Sequence, residues 1–172
     1  MTDDLITLVT SDDPPVELTI EREKLLDSRV FSDMLSLPST SSAHRRVEVA
    51  ERSRDLLFWV EWLKNGAVDY YAEGGDESNI WPTVLSVAKL IDKYDCTVAK
   101  YQLIAEMWRL LREGPVAPCA LLVAADMLQA GTLAKYAAAA ALAFDQPRDV
   151  KRIMVDAGYI ADPDRWEARL YV

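Results

Sequence analysis

The 172-residue chain is poor in the side chains that metal sites and nucleophilic active sites need. It contains two cysteines, Cys96 and Cys119, and a single histidine, His44. Neither cysteine has a cysteine or histidine neighbour at metal-ligand spacing, and two cysteines cannot form a disulfide framework. His44 lies in a serine-rich segment beside two arginines and is interpreted as a solvated loop histidine. The sequence therefore predicts no metal and no Ser/His/Asp or Cys/His site.

Glycine is also scarce, at six residues, and no glycine-rich phosphate-binding motif occurs. The pair at residues 74–75 lacks the lysine and the helix start that a phosphate cradle requires. Paired acids stand at residues 3–4, 12–13 and 76–77, all in predicted turns where carboxylates are normally hydrated. We therefore expect no cofactor and no enzymatic activity.

Long apolar runs are missing as well. The longest weakly polar stretch, residues 132–144, is interrupted by Lys135 and is shorter than the ~18 to 20 residues of a membrane span. The first residues, Met1-Thr2-Asp3-Asp4, are acidic where a secretory signal would be basic. We expect no membrane partner and a cytoplasmic or nuclear location.

Positive charge is deficient in the first half of the chain. Residues 1–80 carry 17 acids and 8 bases, whereas residues 81–172 carry 11 of each, which accounts for the net charge of −9. The only basic cluster is at residues 44–46, so no basic face is available for phosphate backbones. The sequence predicts that nucleic acid is not a direct partner.

The hydrophobic pattern changes period along the chain. Residues 5–10, 16–20 and 47–49 are β-branched or alternate in polarity and predict three short strands. Helical spacing begins with Ser28 as a cap, before a stripe that runs from Val30 to Leu35. A second helix opens at Ser53 and ends at Asn65-Gly66, and a third has Pro82 in its first turn.

Later segments predict helices only. The bounds are about 98–112, 118–129, 132–144, 147–157 and 163–170. Ala-Lys-Tyr occurs at residues 99–101 and again at 134–136, a period of 35 that predicts two stacked helical hairpins. The alanine-rich residues 134–143 predict a closely packed helix, with Ala139 as a test position. The predicted core is Phe31, Leu35, Leu57, Val60, Leu85, Ala88 and Ile91, with Trp59 and Trp62 half-buried.

The order of these elements resembles the BTB/POZ fold. Ser28, Phe31, Met34 and Leu35 match the S-x-x-F-x-x-M-[FL] helix of fungal BTB proteins, and residues 87–95 are similar to the family's A-x-K-Y helix end. The family's histidine after the second strand is absent, and Asn65 replaces a tyrosine. The resemblance implies an α+β fold, with a three-stranded or slightly larger sheet capped by helices and followed by helical hairpins. It divides the chain into a BTB/POZ-like domain, residues 1–112, and a helical extension packed on it, residues 113–172.

The resemblance also implies a function in protein interaction. BTB domains self-associate, bind peptides or dock a cullin scaffold in ubiquitin ligases, so the expected partner is a cullin or a second copy of this chain. The expected protein-binding residues are Met34, Leu35 and Leu37 at a helix end, with Tyr94 and Asp95 in the neighbouring turn. Residues 37–42 contain no acid, unlike the hydrophobic-x-Glu signature of cullin binders. An amino-terminal strand-swapped dimer is disfavoured, because only Met1 to Asp4 precede the first strand.

Two other functions stay open at this point. A Skp1-like or elongin-C-like ubiquitin-ligase subunit shares the core fold and would clasp a partner helix with its terminal helices. A small, mainly helical enzyme would instead need a buried pocket with two or more convergent ionisable groups.

Overall fold

The computed structural model describes residues 4–37, 46–67, 80–113 and 118–143. The chain forms two compact units, Met1–Glu106 and Met107–Val172. The boundary between them falls within a long helix, a few residues before the boundary predicted at residue 112. The α+β class is confirmed: a small mixed sheet lies in the first unit, and most of the described residues are helical. The predicted helices at 147–157 and 163–170 lie outside the described residues, as do His44 and the glycine pair.

The sheet has the order β2-β1-β3. Strand β1 (Leu5–Val9) pairs antiparallel with β2 (Glu17–Glu21) and parallel with β3 (Arg46–Glu48). The three predicted strands are therefore confirmed. Val16 precedes β2, because its N–H donates to the Thr10 hydroxyl oxygen at 3.0 Å in the turn.

Seven helices surround or follow the sheet in the described part of the chain. They are α1 (Arg22–Leu25), α2 (Arg29–Ser36), α3 (Ser53–Asn65), α4 (Ile80–Lys93), α5 (Thr97–Glu113), α6 (Pro118–Met127) and α7 (Gly131–Ala143). Pro82 lies in the first turn of α4, where its missing N–H costs no helical hydrogen bond.

The ends of α2 and α3 follow the predicted capping chemistry in part. The Ser28 hydroxyl oxygen accepts from the Phe31 N–H at 3.2 Å, which confirms it as the α2 cap. Gly66 ends α3 with a left-handed φ of 66°. Ser53, however, is the first helical residue and caps nothing. Its N–H donates to the Asp12 carboxylate at 2.6 Å, so an acid from the β1–β2 turn takes the capping role.

Helix α5 is capped in the same way from a distance. The two oxygens of the Asp27 carboxylate accept from the N–H groups of Val98 at 2.8 Å and Ala99 at 2.9 Å. These are first-turn donors that have no partner within the helix. Both α3 and α5 therefore begin at an acid contributed by an earlier part of the chain.

Most of the predicted core is buried, with corrections on α2 and α3. The confirmed members are Phe31, Val60, Leu85, Ala88 and Ile91. Leu57 is 40% exposed, and Leu35 is half-buried. Trp59 and Trp62 are fully buried rather than half-buried, because the inward stripe of α3 runs through Leu56, Trp59 and Val60. Helical spacing alone allows either Leu57 or Trp59 on the inward face of α3. The face with Trp59 has the larger apolar area and packs against the core.

Only part of the alanine-rich α7 helix faces inward. Helices α6 and α7 lie against each other. Ala137 is fully buried, whereas Ala139 is exposed, so the overpacking expected of a leucine at an inward-facing Ala139 does not apply there. A small side chain is therefore required at Ala137 by the close packing, and not along the whole helix.

Enlarging Ala137 tests this packing directly. We expect Ala137→Leu to lower the free energy of unfolding by about 1 to 3 kcal/mol, because the added atoms force neighbouring side chains out of their rotamers. Ala139→Leu is the matched control and should change it by less than about 0.5 kcal/mol. Denaturant titration measures both, and equal stability of the two variants would contradict the assigned helix face.

The turns after α4 and α6 have the same backbone geometry. The second residue after each helix end has a left-handed φ, 50° at Asp95 and 56° at Gln129. In each turn the next N–H donates to a carbonyl five residues earlier, at 3.0 Å for Cys96 and 2.8 Å for Ala130. This is the Schellman arrangement. The turns recur 34 residues apart, one fewer than the Ala-Lys-Tyr echo, so the repeated letters are not structurally equivalent.

Glutamine is an unfavourable residue in a left-handed turn. We expect Gln129→Gly to raise the free energy of unfolding by about 0.5 to 1 kcal/mol, because glycine has no Cβ to clash in this conformation. Gln129→Ala keeps the Cβ and should give no such gain. Thermal unfolding of both variants checks this, and a glycine variant less stable than the alanine variant would contradict it.

Candidate protein-binding surface

Helix α2 leaves an apolar side chain exposed at its carboxyl-terminal end. Phe31 is buried, whereas Met34 and Leu35 are half-buried. Leu37 is 65% exposed, with an extended backbone at φ −67° and ψ 136°. The extended conformation is typical of a residue before proline, which disfavours the helical region for its predecessor. The helix therefore stops where Leu37 points away from the core.

A guanidinium group frames this apolar helix end. Arg22 donates from Nη2 to the Leu35 carbonyl oxygen at 3.3 Å and forms an ion pair with Asp4 at 3.2 Å. A cation at the carboxyl end of a helix interacts favourably with its unpaired carbonyls and with the helix dipole. Leu37 thus stands beside a fixed polar rim.

Tyr94 belongs to the core, which corrects its prediction as a surface residue. Its side chain is 6% exposed, and its ring centroid lies 4.9 Å from that of Phe31 and 5.0 Å from that of Trp59. The Ser28 hydroxyl donates to the Tyr94 carbonyl at 2.6 Å. Tyr94 therefore holds α2, α3 and α4 together, and its side chain is withdrawn from any partner.

The Tyr94 hydroxyl belongs to a small hydrogen-bonded network around the Glu51 carboxylate. Both Tyr94 and Lys93 donate to the Glu51 carboxylate. Burial raises the pKa of Glu51, but the hydrogen bonds from Lys93 and Tyr94 and the Lys93 charge outweigh it and hold that pKa below 4.5. Burial, and then the bond to Glu51, raise the pKa of Tyr94. The network fixes Tyr94 as a neutral donor to an ionised carboxylate.

The lowered pKa of Glu51 predicts an acid-sensitive contribution to stability. A carboxylate with a lower pKa in the folded state stabilises the fold above its unfolded pKa, and this contribution is lost as the pH falls through the folded value. We expect Glu51→Gln to flatten the loss of stability below about pH 4.5. Denaturant titrations across that range measure it. An acid limb with unchanged slope would contradict the assignment.

Asp95 is exposed but lies away from Leu37. The Arg29 N–H donates to the Asp95 carbonyl at 3.2 Å, and their side chains form an ion pair at 3.9 Å. Arg29 begins α2, whereas Leu37 follows its last residue, and an eight-residue helix rises about 12 Å. The predicted site is thus two places: Met34, Leu35 and Leu37 at one end of α2, and Asp95 at the other.

An apolar group that sequence reasoning missed lies near the start of α2. Ser28 and Cys96 form an isolated antiparallel bridge, and the Val98 N–H donates to the Asp27 carboxylate, so the segments that carry Leu26 and Val98 lie side by side. Leu26 is 47% exposed and Val98 58%. Val30 is 46% exposed, which corrects its assignment to the inward stripe of α2. The sequence indicates this group, because α2 carries apolar residues on two sides and only one side of the helix can be buried.

The described residues offer little nucleophilic or metal-binding chemistry. Burial, and then the Asp27 charge, raise the pKa of Cys96 to about 12, so this thiol stays protonated and unreactive at neutral pH. Within the four described ranges, no three His, Cys, Asp or Glu side chains come together in a way that could hold a metal ion. No described helix is both long and apolar enough to span a bilayer.

Comparison with known proteins supplies no further assignment for this surface. No protein-family model matches the chain, and no curated protein is significantly similar to it in sequence.

Proposed function

We propose that the chain is a non-enzymatic protein–protein interaction module with a BTB/POZ-like core, acting in the cytoplasm or nucleus. The proposal is supported by the order of the elements and by the mixed β2-β1-β3 sheet with its helical cover. The Ser28 cap and the buried Phe31 agree with the structural part of the motif that carries the resemblance.

The observation that carries the proposal is the exposure of Leu37. A leucine that is 65% exposed beside half-buried Met34 and Leu35 offers an anchor at the rim of a partly covered apolar surface. Binding energy in protein interfaces is concentrated in a few side chains, while surrounding groups exclude water. The Arg22–Asp4 ion pair supplies part of that polar surround. On this proposal the partner is a cullin scaffold, for which the chain acts as adaptor, or a second copy of the chain.

The burial of the most reactive candidate groups favours binding over catalysis. Tyr94 and Cys96 are both held protonated by the apolar surroundings of the first unit. Tyr94 is also fixed by its bond to Glu51. A catalytic acid, base or nucleophile needs a pKa near the working pH and access to a substrate. Neither side chain meets those two requirements.

Site-specific photo-crosslinking tests the proposal. A photoreactive side chain at position 37 should capture one discrete partner in cells, identified by mass spectrometry as a cullin or as the chain itself. The same group at position 57, which is also exposed but lies on α3, is the matched control. Equal capture from both positions, or no discrete product from position 37, would refute the proposed surface.

A further inference from the structure

The outer edge of β2 presents an unusual run of backbone groups. The register pairs Ile6 with Ile20 and Leu8 with Leu18. The Thr10 backbone N–H donates to the Val16 carbonyl at 2.9 Å, and the Arg22 backbone N–H donates to the Asp4 carbonyl at 2.8 Å. Hydrogen-bonded pairs alternate along an antiparallel ladder, so residues 16, 18, 20 and 22 direct their backbone groups toward β1.

The intervening residues direct their backbone groups away from the sheet. These are Glu17, Thr19 and Glu21. Glu21 is the N-cap of α1, so its carbonyl accepts the first hydrogen bond of that helix. The edge therefore keeps the N–H groups of Glu17, Thr19 and Glu21 and the carbonyls of Glu17 and Thr19. Among the described residues β2 has no strand on that side, and both Glu17 and Thr19 are exposed. Such an edge is a template for an added strand.

The side chains along this edge are acidic. Glu17 and Glu21 flank Thr19 on the same face of the strand, because alternate residues share a face. Glu17 forms an ion pair with Arg46 of β3. One carboxylate oxygen of Glu21 is shielded from solvent and has no hydrogen-bond partner in the part of the chain that the structure describes. An unpaired carboxylate oxygen is costly, and a cationic side chain across the edge would offset that cost.

We propose that the free edge of β2 binds an extended segment of a partner protein that carries lysine or arginine at alternate positions. The backbone of the segment would pair with Glu17, Thr19 and Glu21, and its cations would lie beside the two glutamates. Cross-strand pairs of opposite charge stabilise such an arrangement, whereas like charges oppose it. This proposal rests on the β2 edge and does not depend on the function proposed for Leu37.

Charge disfavours a second copy of the chain as the occupant. When β2 pairs antiparallel with itself along its full length, Thr19 lies opposite Thr19 of the copy. Glu17 then lies opposite Glu21 at both ends. Each of these pairs is a like-charge contact that destabilises the ladder. A heterologous basic strand avoids both contacts.

A short peptide of alternating lysine and valine is the direct probe, titrated into the full-length protein and followed by amide NMR. We expect shifts centred on residues 17–21 and slower hydrogen exchange of the Thr19 amide. The fully N-methylated peptide keeps the charges but cannot donate backbone hydrogen bonds, and should lose both effects. Binding without protection of the Thr19 amide would indicate charge attraction alone and would overturn the proposal. So would the absence of any shift at residues 17–21.

A matched pair of variants at Thr19 tests the same edge from the protein side. Thr19→Pro removes an N–H that points to solvent rather than to β1, a position where an edge strand accepts proline. It should weaken peptide binding by about fivefold or more, whereas Thr19→Val should retain it. Circular dichroism verifies the fold, and the N-methylated peptide decides the question if the proline variant unfolds. Equal affinity of a folded proline variant would overturn the proposal, as would peptide-independent dimerisation through this edge.

Discussion

Replacing Trp59 with alanine is expected to lower the free energy of unfolding by about 3 to 5 kcal/mol. The indole is fully buried, and its centroid lies 5.8 Å from the Phe31 ring and 5.0 Å from the Tyr94 ring. Its loss removes a large apolar area and leaves a cavity beside the two remaining rings, and the Tyr94 ring cannot readily close it because its hydroxyl is bound to Glu51. This is the largest single-site effect on stability that we expect.

Chemical denaturation monitored by circular dichroism measures the Trp59 effect. Leu57→Ala is the matched control, because Leu57 lies on the same helix but is 40% exposed. It should cost less than about 1 kcal/mol. Similar costs for the two variants would show that the inward face of α3 is wrongly assigned.

The Leu37→Asp substitution is expected to weaken partner binding by about ten- to a hundredfold, equivalent to about 1 to 3 kcal/mol. The side chain is 65% exposed, so the fold loses little packing when it changes. A charge placed at an interface anchor must be desolvated when the partner binds. The effect should therefore appear in affinity and not in stability.

Circular dichroism and a pull-down on the same Leu37→Asp protein separate those two effects. Leu57→Asp introduces the same charge at another exposed leucine and should leave the interaction intact. A folded Leu37→Asp protein that retains every partner would remove this end of α2 from consideration.

Local signals account for what could be predicted from the sequence. The strands follow from alternation, and Ser28 and Gly66 were identified because their capping chemistry depends only on neighbouring residues. On α3, Val60 is buried as predicted, whereas Leu57 is exposed and Trp59 is buried. Helical spacing admits both Leu57 and Trp59 on the inward side. The choice between them is made by the Phe31 and Tyr94 rings that meet Trp59.

The candidate surface could likewise be predicted only where local constraints determine it. The exposure of Leu37 follows from its place before Pro38, a local constraint, and is confirmed. The burial of Tyr94 depends on partners more than forty residues away, Glu51 and Ser28, and no local pattern marks it. The separation of Asp95 from Leu37 likewise depends on which end of α2 the turn meets, and this is a property of the tertiary fold.

The order in which the chain is synthesised affects how helices α3 and α5 can start, because an acid from an earlier segment caps each of them. Asp12 and Asp27 precede the helices they serve, by 41 residues in the case of Ser53 and 71 in the case of Val98. A ribosome delivers the amino-terminal end first, so each acid is already outside when its helix emerges. The first turn of each helix then has a preformed acceptor to grow from, provided that the earlier segment has found its place. In this chain, vectorial synthesis and helix initiation run in the same direction.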